Sequence, residues 1–193
     1  MHGPIPPAPA LLIIDVQKAI DDPAWAVCGP RNHPGAEQTI ARLLNGWRGK
    51  DLPVWHVRHD STSPGSSYRP GQPGNDFKPE AEPLPGEPVI VKHTPCAFVG
   101  TDLERRLRAG GITALVVAGV ITNNSVEATV RMAGCLGFEV YLVEDACFTF
   151  ARKDWNGRLW SAEDVHALSL ANLDGEYCTV IGAARALEQW AAR

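Results

Sequence analysis

ALVVAGVITNNSVEATVRMAGCLG, residues 114–137, reads as a buried strand running directly into a helix. Residues 115–120 are apolar without the alternation of a half-exposed strand, as expected where both faces of a parallel sheet are covered. The helical pattern then spans residues 123–136 and stops at Gly137, where a glycine can adopt the left-handed closing conformation. Ser125 stands at the start of that helix, where unpaired N–H groups and the helix dipole favour an anion. A serine there also suits a plain helix cap.

The same alternation continues outward in both directions. Short Val/Ile/Leu-rich runs predict strands over residues 11–16, 54–59, 89–92, 140–144 and 179–181. Helices are predicted over 36–47, 101–109, 161–173 and 183–190. In the first, Ile40, Leu43, Leu44 and Trp47 share one face. The second opens on Thr101-Asp-Leu-Glu, a capping-box pattern. The fold class expected is α/β: a three-layer α/β/α sandwich with a central, mostly parallel six-stranded sheet and right-handed crossovers, in one domain over residues 1–193. Residues 61–87 break the rhythm with many Pro, Gly and Ser, and form either a wall of the site or a surface excursion.

Composition narrows the function classes. The chain has 193 residues, 45% of them apolar, and a net charge of -4 without a basic stripe, which argues against nucleic acid as a partner. Five cysteines without CxxC spacing favour reduced thiols over a disulfide frame or a zinc cage. No apolar stretch approaches the ~20 residues of a membrane helix, and the N-terminus lacks a signal-peptide core. A soluble, cytoplasmic protein is expected.

Polar residues placed where strands end carry the functional argument, because the carboxyl ends of parallel strands face one crevice. Asp15 follows PALLII, Lys92 follows PVIV, and Ser125 follows ALVVAGVITNN. Desolvation would raise the pKa of Asp15 and suit it to proton transfer, although an aspartate also caps turns. Lys92 needs a counter-charge if buried; a snorkelling surface lysine fits the same position.

Together these stretches resemble a known family. LLIIDVQ (11–17), VKHTPCAFVGTDLERRLRAGGI (91–112), VAGVITNNSVEATVRMAGCLGFEVYLVEDACFTF (117–150) and VHALSLANLDGEYCTVI (165–181) are similar to the isochorismatase-like, or cysteine hydrolase, superfamily. The resemblance implies a catalytic set of Asp15, Lys92 and Ser125, with Ser125 at the position of the family's cysteine and Thr129 and Arg131 following it. It implies a cis Val120–Ile121 peptide and an oxyanion hole from the N–H groups of Ile121 and Ser125. Substrates implied carry a small amide, carbamoyl or imide C–N bond, or a vinyl ether such as that of isochorismate. Family members assemble as homodimers or homotetramers, and the same is expected here.

Two departures bear on activity. A serine hydroxyl needs a stronger base than a cysteine thiol; a lapsed relative that binds a small molecule or partner protein is therefore the alternative to a hydrolase. The nicotinamidase branch binds metal through Asp-x-His after the second strand, whereas Arg58 and Asp60 stand there in this chain. His56 and His59, three apart in a strand, face opposite sides, so neither a metal nor another cofactor is expected. Substrate contacts are expected from Gln17, Trp25, Arg58, His59, Phe98 and Trp155, with Trp160 a further aromatic candidate and Cys96 a substitute nucleophile.

Overall fold

The computed structural model describes residues 9–191. Six strands form one sheet: β1 (Ala10–Ile14), β2 (Val54–His59), β3 (Val89–Lys92), β4 (Ala114–Val120), β5 (Glu139–Phe148) and, last in the chain, β8 (Thr179–Ile181). Their order is β3-β2-β1-β4-β5-β8, and every neighbouring pair is parallel. The sheet is thus wholly, not mostly, parallel. The order reverses between β1 and β4, and the crevice beyond their carboxyl ends is where such sheets bind ligands.

Helices cover both faces because the strands are apolar on both. On one face α1 (Ala36–Arg48) packs Ile40, Leu43, Leu44 and Trp47 against Leu11, Ile13, Val116 and Ala118, joined by α5 (Ala183–Ala186). On the other, α2 (Leu103–Ala109) and α3 (Glu127–Cys135) set Leu103, Leu107, Val130 and Ala133, with Val126 just ahead of α3, against Leu12, Ile14, Leu115 and Val117. Each fully buried aliphatic side chain contributes roughly 1.5–3 kcal/mol. The remaining α-helix, α4 (Ala162–Ala171), is capped by Ser161, whose hydroxyl accepts from the Asp164 N–H.

Several predicted boundaries shift for identifiable reasons. β1 ends at Ile14 because Asp15 adopts a left-handed backbone, φ 55°, and turns the chain. Gly119 (φ 132°) lies so close to β1 that a Cβ there would sit 2.2 Å from the Ile14 carbonyl oxygen. The helix predicted from residue 123 begins as a wider turn, Thr122–Val126, before α3 proper. The full capping box at Thr101 does not form: α2 starts after Asp102, and the Thr101 hydroxyl donates to the Ala97 carbonyl while accepting from the Leu103 N–H.

β5 outruns its prediction by four residues because it bulges. Val117 pairs with Leu142 but Gly119 with Cys147, so two steps along β4 match five along β5. A small hairpin, β6 (Arg152–Lys153) with β7 (Leu159–Trp160), was not foreseen. Residues 61–87 hold only two short 3-10 turns, Pro73–Asn75 and Pro79–Ala81. No helix among the described residues is long and apolar enough to cross a membrane.

Candidate active site

The end of β1, the end of β3 and the turn after β4 deliver three side chains to one point. Lys92 Nζ donates to Asp15 Oδ2 at 2.6 Å and lies 3.4 Å from Ser125 Oγ. Register explains the reach: His59 and Lys92 are neighbours across β2 and β3, so the lysine passes over the end of β2 to meet β1. All three residues are buried, at 4% (Asp15), 1% (Lys92) and 8% (Ser125) exposure. The second carboxylate oxygen, Asp15 Oδ1, is buried without a hydrogen-bond partner.

Electrostatics divides these groups. Burial raises the Asp15 pKa above the usual aspartate value, and the charge and hydrogen bond of Lys92, with a smaller contribution from Ser125, pull it only partly back. His59, with Nδ1 3.4 Å from Lys92 Nζ, is pushed down to about 4, first by burial and then by the ammonium. It is therefore neutral at ordinary pH. The phenol of Tyr68 donates to the Asp15 carbonyl at 3.4 Å, and burial holds its pKa well above normal.

A cavity of about 260 Å³ opens onto this cluster. Asp15, Ser125, Ile121, Val120 and Asn124 line it, with His59, His93, Trp25 and Ile20. Ser61, Thr62, Ser63, Ser66 and Tyr68 supply the remaining wall. The connection after β2 is therefore a wall of the site. The Val120–Ile121 peptide is cis. Ser125 lies in the wide first turn of its helix, where the neighbouring Asn124 and Val126 N–H groups both bond the Ile121 carbonyl.

Four residues expected at the substrate are elsewhere. Gln17 is wholly buried and clamps backbone: its Nε2 donates to the carbonyls of His59 (3.1 Å) and Asn75 (2.9 Å), and its Oε1 accepts from the His59 N–H. Arg58 points away from the cavity and pairs with Asp60, Nε to Oδ1 at 2.9 Å. Phe98 packs on Phe138 in the core. Trp155 is 92% exposed at the tip of the β6–β7 hairpin, in a separate groove of about 360 Å³ that also takes in Trp160. Cys96 is buried and does not line the cavity.

Sequence reading missed Tyr68, His93, Asn124 and the serines of residues 61–66. His93 and Asn124 flank predicted site residues, which was a usable signal; residues 61–87 were expected as a wall or a surface excursion, but without periodicity nothing singled out Tyr68 or the individual serines.

Residues 9–184 match the isochorismatase domain family. The chain belongs to that family. A crystal structure of an isochorismatase-family protein from Chromobacterium violaceum is 61% identical, covers 98% of each chain and superposes with a TM-score of 0.92. The isochorismatase-family protein YrdC of Bacillus subtilis is 39% identical over 172 residues, 89% of this chain and 90% of the relative. The ureidoacrylate amidohydrolase RutB of Variovorax paradoxus is 28% identical over 172 residues, 71% of this chain and 67% of the relative. The protein is accordingly an isochorismatase-family hydrolase of small molecules.

Proposed function

We propose that the protein hydrolyses a small amide, carbamoyl or imide compound through Ser125, with Asp15 as acid and base. The observation that carries this reading is the buried contact of Lys92 with both Asp15 and Ser125, beside an Asp15 oxygen with no partner of its own. Relationship to an amidohydrolase supports the choice of a C–N bond over a vinyl ether.

The chemistry follows from the proton inventory. Asp15, made more basic by burial, takes the Ser125 proton as Oγ bonds to the substrate carbonyl carbon. The carbonyl oxygen gains negative charge against the N–H groups of Ile121 and Ser125. The C–N bond breaks and Asp15 returns the proton to the departing nitrogen. Water then attacks the acyl-serine, giving one proton to Asp15, which passes it back to Ser125 as the acid leaves. Lys92 keeps its charge throughout and holds the carboxylate in place. The neutral imidazole of His59 and the hydroxyls of Ser61, Ser63 and Ser66 suit a polar, uncharged substrate. These steps call for no cofactor.

The test is turnover of a panel of small amides and carbamoyl compounds by the native chain, Ser125→Ala and Ser125→Cys. Native activity that Ser125→Ala abolishes supports a serine hydrolase. Activity only in Ser125→Cys would overturn it in favour of the lapsed, ligand-binding relative that the missing thiol suggests.

Self-association is a second part of the proposal. Trp155, Leu159 and Leu168 are 92%, 54% and 62% exposed, and Trp155 and Leu168 line one groove. A homodimer or homotetramer would cover them. Sedimentation should show an oligomer that Leu168→Glu dissociates; a native monomer would contradict it.

A further inference from the structure

On the far side of Thr122 from Ser125 lies a second cluster of titratable residues, which the proposed reaction does not use. His33 comes from the loop before α1, Glu144 from the bulge of β5, and His166 from α4. One ligand atom from each lies within 4.8 Å of the others. His33 Nε2 is 3.8 Å from Glu144 Oε2, and the two imidazole centroids are 4.8 Å apart.

Each histidine is oriented by its other nitrogen. His33 Nδ1 faces two backbone carbonyls, Glu144 O at 3.2 Å and Cys147 O at 3.1 Å, to which it donates, so Nε2 is the nitrogen turned toward the cluster. His166 Nδ1 lies 2.8 Å from Thr122 Oγ1. Its Nε2 is buried without any hydrogen-bond partner, in a residue only 5% exposed. A buried nitrogen left unpaired is costly unless something is meant to meet it. Metal-binding histidines characteristically use one nitrogen for the ion and tie the other to a carbonyl or hydroxyl.

We infer that His33, Glu144 and His166 bind one divalent transition-metal ion of the zinc class, outside the catalytic cavity. Two imidazoles and a carboxylate suit zinc over magnesium or calcium, which prefer all-oxygen shells. Ligand atoms of a tetrahedral zinc are about 3.3 Å apart, so the cluster must contract on binding from separations of up to 4.8 Å. Glu144, 38% exposed, has the freedom to do this. His33 lines an open groove that also holds Arg42 and Asp145, which gives an ion a route to the cluster. The ion would tie the first loop, β5 and α4 together. Through the His166–Thr122 contact it would also steady the turn that carries Ser125. No metal is expected from the sequence anywhere in the chain, and this cluster lies apart from the region after β2.

The experiment is calorimetric titration of EDTA-treated full-length protein with zinc sulfate, in a Cys135→Ser background because that thiol is exposed. The expected result is one zinc per chain and a Tm that climbs with zinc concentration. His33→Ala and Glu144→Gln, both at partly exposed positions, should each weaken zinc binding at least about tenfold. Circular dichroism would show that both variants fold. Absence of zinc binding by the parent, zinc binding undiminished in both variants, or equal uptake of magnesium would each overturn the assignment. Because no readout is catalytic, the outcome is independent of the proposed amide hydrolysis.

Discussion

Two carboxylates, Asp15 and Glu87, each meet a cation in this molecule, and their environments make them opposites. Glu87 accepts from Arg48 twice, at 2.8 Å, from the Leu84 N–H at 2.8 Å, and pairs with His56 at 2.9 Å. Against the desolvation of partial burial, the bonds from Arg48, Leu84 and His56 hold its pKa at about 2. Asp15 has one close cation and one oxygen without a partner, and burial carries its pKa upward. A fully bonded carboxylate is locked as an anion and fastens the chain; an incompletely bonded one can exchange a proton. Depth of burial, together with how completely the carboxylate is hydrogen-bonded, separates scaffold from chemistry here.

The largest effect expected of this difference is at Lys92. Lys92→Ala leaves a buried carboxylate unpaired, which should cost about 3–5 kcal/mol in urea denaturation and abolish turnover. A stable, active variant would erase the distinction. Asp15→Asn removes the proton exchange and should lower kcat by about 10²–10⁴-fold on any substrate the native chain turns over.

pH sharpens the contrast, since the two carboxylates titrate in opposite senses. The folded pKa of Glu87 lies below its unfolded value of 4.5, so its contribution is full above that pH and is lost as pH falls toward about 2. Stability measured from pH 5 to 3 should fall less steeply in Glu87→Gln than in the native chain. Asp15, raised in the folded state, instead sets an acidic limb on activity above the usual aspartate range. The smallest effect belongs to a control. Glu104→Ala breaks an exposed helix pair with Arg108 and should shift stability by less than about 0.5 kcal/mol.

Much of this was legible in the residues. Apolar runs without alternation announced a covered parallel sheet, and polar residues at their ends announced Asp15, Lys92 and Ser125. What the sequence withheld was direction. Asp-x-Gln says that a glutamine stands near the site, but only the turn at Asp15 decides that Gln17 grips backbone. Arg58 alternates out of the cavity with the pleat and finds Asp60. Two-residue strands such as β6 and β7 carry no periodic signal, so Trp155 at their turn could not be placed. The His33, Glu144 and His166 cluster joins residues too far apart in the chain for any spacing to reveal.

The connection between β2 and β3 divides its labour along its length. Its first third, through Tyr68, faces the cavity, while Asn75, bonded to Asp60 and Tyr68, and Glu87 hold the remainder to the body. Exchanging the front panel at Ser61–Ser66 therefore leaves its hinges untouched. A lineage, or a laboratory library, can retune which molecule fits without redesigning the machinery beneath.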